Sequence, residues 1–195
     1  DGTLLPVDTD YFVEVYLKCL SKTMLKWMEP YYFVNKLMSS TFATINNLDP
    51  TKTNQEVFWE HFSKDLPYDV RELIPVFDNF YDLEFPKLSS IIAKNHLPAA
   101  ILETVNKKGY EIVIATSPIF PEKAILERLN WINAKEFPYK LITTYENMHF
   151  TKPHIEYYEE IMALIGRKPK ECLMIGNDVD EDMIAGRLGM KTFLV

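Results

Sequence analysis

An α/β fold is predicted for this chain of 195 residues, a parallel sheet core into which an all-helical lobe is inserted. Three observations point to it. From about residue 10 to 83, apolar residues recur at helical spacing between breakers and no strand signal interrupts them. From Pro98 onward, helices alternate with short apolar runs, the signature of parallel strands joined by crossover helices. The polar clusters of this second part fall directly after the apolar runs, at the carboxyl edge where open parallel sheets collect their ligands. The core is therefore expected over residues 1–9 and 86–195, and the helical lobe over 10–85.

The first helix of the lobe keeps Phe12, Val15, Cys19, Thr23 and Trp27 at helical spacing, and Pro30 ends or bends it. A second helix, about residues 31–45, stops at the turn cluster Asn46-Asn47-Leu48-Asp49-Pro50. Thr53 or Asn54 caps a third helix carrying Val57, Phe58 and Phe62, and Pro67 closes it. Trp27, Tyr31, Tyr32, Phe33, Phe42, Phe58 and Trp59 make the lobe aromatic, and their spacing predicts a bundle core with one or two facing a substrate.

In the second part, residues 98–108 read as a helix that Gly109 stops, setting a turn before Glu111-Ile112-Val113-Ile114-Ala115. That run does not alternate, as expected for a strand covered on both faces. Helices follow over 121–131 and 153–165, the latter with Ile155, Tyr158, Met162 and Ile165 on one stripe. Short strands are predicted over 140–143, 172–175 and 192–195.

Composition narrows the function classes. A net charge of −7 and a pI near 5.2 argue against a nucleic-acid surface, which needs clustered Lys and Arg to displace counterions. A small substrate fits better. Cys19 and Cys172 are the only cysteines and form no CxxC, so neither a disulfide framework nor a thiolate zinc site is supported, and a reducing cytoplasm is the default. No apolar run approaches the roughly 20 residues that span a bilayer. HExxH, P-loop and GxGxxG patterns are absent. His61, His96, His149 and His154 form no ligand spacing and are expected to be structural or exposed.

Four segments carry candidate chemistry: Asp1-Gly2-Thr3, Ala115-Thr116-Ser117-Pro118, Thr151-Lys152-Pro153, and Gly176-Asn177-Asp178-Val179-Asp180-Glu181-Asp182. An Asp-Gly pair alone is also a common turn. Thr116 follows an apolar run, so its hydroxyl can donate to a phosphoryl oxygen at a strand tip; capping the helix that starts near Phe120 is an equally good reading of that segment alone. Ser117 is the second donor or the cap. A lone lysine is most often a solvated charge. Before a helix N-terminus, however, a cation opposes the macrodipole unless an anion sits nearby, and this favours a functional Lys152. The acidic cluster offers hard oxygens that suit magnesium, which takes one or two carboxylates beside a phosphate. A solvated helix start is the alternative. An EF-hand fails, because Met183 stands where its sharp-turn Gly belongs and Gly189 where its bidentate Glu belongs.

In this order the four segments resemble the motifs of the haloacid dehalogenase superfamily. Asp1-Gly2-Thr3 matches the last three positions of its first motif, Asp-x-Asp-Gly-Thr; Lys152-Pro153 resembles its third, and Asp178 with Asp182 keeps the spacing of its fourth. The resemblance covers residues 1–3 and about 98–195, while the insert matches in placement only. It implies a Rossmann-like parallel sheet core with an α-helical cap inserted between the first and second motifs. It further implies a magnesium-dependent phosphohydrolase that acts on a small phosphorylated metabolite through an aspartyl-phosphate, with the cap as a lid.

The nucleophile would stand two residues before Asp1, and Asp1 would protonate the leaving oxygen and later deprotonate water. Thr116, Ser117 and Lys152 would hold the phosphoryl oxygens. Asp178, the Asp1 backbone carbonyl and Asp182 are the implied metal set, with Asp182 alternatively orienting a metal-bound water or Lys152. Asp180 and Glu181 would face outward. A phosphomutase of the same superfamily is one alternative, and a non-catalytic binding or regulatory domain is another if the upstream residue is not aspartate. A dehalogenase is disfavoured, since it has no leaving alkoxide to protonate and generally lacks an acid where Asp1 stands. The family's sheet also implies a central strand leading into Asp1, between the strands ending at Ala115 and Ile175. Those two should then lie about twice 4.8 Å apart, with Asp1 at the carboxyl end of the gap. Direct hydrogen bonding between them would contradict the assignment.

Overall fold

A computed structural model describes residues 1–195. The lobe begins with α1 (Thr9–Thr23), whose first turn is capped by the Asp8 carboxylate accepting from the Tyr11 N–H. Its buried stripe is Phe12, Tyr16 and Leu20, whereas Val15 and Cys19, read from the sequence as the core-facing positions, are half-buried on the flank. Both stripes keep helical spacing, and the one with the larger side chains takes the interior. Pro30 does not end this helix. It occupies the first turn of α2 (Pro30–Ile45), where its missing N–H would have had no partner, and Glu29 supplies the cap. α3 (Asn54–Ser63) starts from a capping box of Thr53 and Glu56.

Beyond α3 the lobe closes with α4 (Ile74–Asn79), a π turn (Phe80–Glu84) and a 3-10 segment (Phe85–Ile91). Phe12, Phe33, Phe62, Phe80 and Phe85 are fully buried in one aromatic cluster, while Tyr31 and Phe42 lie at the surface. The aromatic content is thus mainly bundle core.

The core alternates as the sequence predicts: α5 (Leu97–Lys107), β1 (Ile112–Ile114), α6 (Glu122–Trp131), β2 (Tyr139–Ile142), α7 (Ile155–Ile165), β3 (Leu173–Gly176) and β4 (Lys191–Leu194). β1 pairs in parallel with β2, Val113 opposite Leu141, and β3 pairs in parallel with β4, Met174 opposite Thr192. The two pairs share no ladder. One helix bridges them: Tyr157, Tyr158 and Ile161 of α7 form a cluster that includes Met174 and packs against Val113 and Leu141. The strands are less covered than their apolar runs predict. In β1 only Ile112 is buried, and β3 alternates, with Met174 and Gly176 inward but Leu173 and Ile175 at 55% and 46% exposure. The reason is that α7 covers the Met174 face of β3, while the other face of β3 and all four residues of β4 are exposed.

The lobe is fastened to the core by the start of α3. The Asn54 and Gln55 N–H groups donate to the carbonyls of Met148 and Tyr145, both at 2.8 Å. The buried Asn54 amide also donates to the carbonyls of Pro118 (3.2 Å) and Phe150 (3.1 Å), so one lobe side chain clasps the loop after Thr116 to the loop before Lys152. Asn54→Ala strands two interior carbonyls, and an unfolding free energy lower by about 1–3 kcal/mol is expected in urea titrations. An unchanged midpoint would mean that the clasp carries no load. No helix of the protein is long and apolar enough to cross a membrane.

Candidate active site

The segment after β3 folds back over the strand end. Asp182 Oδ2 accepts the backbone N–H groups of Asn177 (3.0 Å) and Asp178 (3.1 Å), and Oδ1 accepts from Lys152 Nζ. Gly176 makes this approach possible, because a Cβ there would overlap the Asp182 side chain. Lys152 and Asp182 are 7% and 4% exposed, so the pair is shielded from solvent and its attraction is little screened. Both Asp182 oxygens are engaged by the protein. In this arrangement Asp182 orients Lys152.

Lys152 sits two residues before His154, the cap of α7, so Pro153 precedes the helix and does not lead it. The anion demanded by a cation near that helix start is present in the protein as Asp182.

Asp1-Gly2-Thr3 docks on the same loop. The Thr3 hydroxyl donates to Asn177 Oδ1 at 3.0 Å, and Gly2 has φ +71°, with space for a Cβ blocked by Asn177 Nδ2 at 2.5 Å. The Asp1 carboxylate accepts from Arg128 Nη1 at 3.1 Å. Arg128 itself is buried, and burial pushes its guanidinium down to about 10.

Asp178 is exposed. Its Oδ1 accepts the N–H groups of Asp180 and Glu181, both at 2.8 Å, which fixes the carboxylate at the exposed loop. Asp180 is exposed as well. Glu181 is half-buried; burial holds its carboxyl above the usual range, and its backbone carbonyl accepts from the Tyr158 hydroxyl at 2.6 Å. The four histidines take no part: His61 meets Ser40, His149 meets Glu160, His154 meets the Ile45 carbonyl, and His96 is exposed.

At the end of β1 the backbone is pinned and the hydroxyls are left available. Thr143 Oγ1 and the Tyr157 hydroxyl both donate to the Thr116 carbonyl at 2.8 Å from buried positions. Neither Thr116 nor Ser117 caps a helix. The cap position of α6 is Pro121, and the Glu122 N–H donates instead to the Glu146 carboxylate, 3.0 Å from each oxygen. Arg128, Thr143 and Tyr157 escaped the reading of the sequence, and Asn177 was given no role within its segment. Arg128 alone left a legible signal, a charge on the apolar stripe of Ala124, Ile125 and Leu129.

A family model described as haloacid dehalogenase-like hydrolase matches residues 1–189. The chain belongs to that family. A pyrophosphatase PpaX of Anoxybacillus flavithermus is 32% identical over 92 residues, 47% of this chain and 41% of the relative, so the match spans less than half of that protein. Among solved structures, the haloacid dehalogenase (HAD) phosphatase of Thermococcus onnurineus superposes with a TM-score of 0.58 at 18% identity, covering 100% of this chain and 82% of its own. A HAD family enzyme of Bacteroides thetaiotaomicron, in complex with magnesium and inorganic phosphate, gives 0.52 at 14% identity, covering 100% and 89%. At such identities the likeness is one of fold, a Rossmann-like α/β core with a helical insert.

Proposed function

We propose that this haloacid dehalogenase-like protein is a magnesium-dependent phosphohydrolase. Its substrate is a small phosphorylated metabolite and its nucleophile an aspartate two residues before Asp1. The observation that carries the reading is the buried Lys152–Asp182 pair, fastened under the Asn177–Asp178 loop on which Asp1-Gly2-Thr3 docks. In an enclosed place an oriented ammonium stabilises charge on a transferring phosphoryl group far better than in water. Thr116 and Ser117 present hydroxyls from a pinned strand end to the same oxygens. Asp1 acts as acid toward the leaving oxygen and as base toward the hydrolytic water.

The donor set suits magnesium. No three His, Cys, Asp or Glu side chains form a closed cage, and this ion takes one or two carboxylates with water and phosphate oxygens. Asp178 and the Asp1 carbonyl would hold it, and a bound ion would supply charge neutralisation at the phosphoryl oxygens. The lobe, residues 10–85, serves as the lid. The break between the β1 and β3 pairs fits a further strand leading into Asp1, since both pairs otherwise keep unpaired edges.

A phosphate-release screen of the full-length protein against phosphorylated metabolites and pyrophosphate, with and without chelator, tests the reading. Magnesium-dependent release from at least one is expected. Interconversion of a sugar phosphate without release would favour a phosphomutase, and no turnover at all would favour a binding role. Asp178→Asn is expected to raise the magnesium concentration for half-maximal rate and to lower the rate itself. Asp180→Asn should change neither, and equal effects of the two would refute the assignment of Asp178.

A further inference from the structure

One buried charge at the junction of lobe and core has no part in the reaction as proposed. Arg128 lies on the inward stripe of α6, its guanidinium 4.0 Å from the ring centre of Phe120, 5.1 Å from Phe12 and 5.8 Å from Phe85. Nε and Nη2 have neither an acceptor nor solvent, and Nη1 donates to Asp1 Oδ2 at 3.1 Å. Ring faces attract a cation and offset part of its desolvation, but an apolar side chain would fill the space without stranding two donors. The single polar contact that the arginine gains is with Asp1.

The guanidinium is a rigid planar fork. With two nitrogens wedged among three rings, the direction of the third is fixed. The Asp1 carboxylate is 23% exposed and has no other partner in the protein, so without Arg128 it would turn freely. Two of the rings belong to the lobe, Phe12 on α1 and Phe85 in the closing 3-10 segment, whereas Phe120 belongs to the loop after Thr116.

We propose that Arg128 is a positioning residue that aims the Asp1 carboxylate and ties its aim to the docked lobe. The inference rests on Asp1 being the acid and base of the proposed reaction. It acts through geometry, and a misplacement of about 1 Å can reduce turnover roughly 10²-fold.

The experiment compares full-length wild type, Arg128→Met and Arg128→Lys in magnesium, with para-nitrophenyl phosphate as substrate and thermal unfolding as control. Arg128→Met should lose kcat by a factor approaching that size at little-changed KM, with Tm unchanged or raised because the stranded donors are gone. Arg128→Lys should recover part of kcat. Near-normal kcat in Arg128→Met, or a loss matched by lowered Tm and not eased by lysine, overturns the inference. A wild type that releases no phosphate from any substrate defeats the phosphohydrolase reading and not the pairing. The pairing is then judged by the thermal shifts of Arg128→Met, Asp1→Asn and the double variant: non-additive shifts support it and additive shifts overturn it.

Discussion

Replacing Lys152 by alanine in the full-length protein is expected to lower kcat for a phosphomonoester by roughly 10²–10³-fold, the size of one lost preorganised donor. Two features set this magnitude. Lys152 is buried and held by Asp182, whose other oxygen is fixed by two backbone N–H groups, so the ammonium needs little reorganisation when charge develops beside it. Removing it also leaves the Asp182 carboxylate buried and unpaired, and breaking such a pair typically costs about 3–5 kcal/mol. Activity and stability should therefore fall together. Lys152→Met with Asp182→Asn removes both charges, so it should regain much of the stability and none of the rate. Steady-state kinetics with urea titrations of the three proteins separate the two effects, and a double variant as active as wild type would show that the pair is structural only.

A comparable loss is expected from Gly176→Ala, a single methyl group that touches no substrate. It would occupy the space of the Asp182 side chain, which is pinned by Asn177, Asp178 and Lys152 and has no easy way to yield. Moving the carboxylate breaks its two N–H bonds and releases Lys152, so kcat should fall about as far as in Lys152→Ala. The cause is testable by non-additivity. In an Asp182→Gly background the obstructing atoms are gone, and Gly176→Ala should then add little to the loss. Full additivity would place the damage in the strand and not in the carboxylate.

How much of this was legible follows from the range of each interaction. Strand ends and the polar residues after them are local, so β1, β2, β3 and β4 and the segments at Thr116 and Asp178 could be read from short runs of sequence. Helix stops and starts were less secure: Pro30 serves equally as breaker and as first-turn residue, and Phe12 begins two possible stripes of which only one is buried. Pairings between distant segments were not legible from local patterns. Asp182 as a partner of Lys152 came only from the family resemblance and not from the residues near Lys152, and nothing near Thr116 announces Thr143 and Tyr157 as the groups that hold its carbonyl. The partial exposure of β1 likewise departs from an apolar run that reads as covered on both faces, because coverage depends on which elements lie above it.

The most direct measurement is a calorimetric titration of inorganic phosphate into the full-length protein in magnesium, repeated with chelator and with Lys152→Met. A single phosphate is expected to bind per molecule, with binding abolished by chelator and weakened by Lys152→Met. Phosphate binding indifferent to both magnesium and Lys152 would contradict the assembly of Lys152, Asp178 and Asp1 into one phosphoryl site.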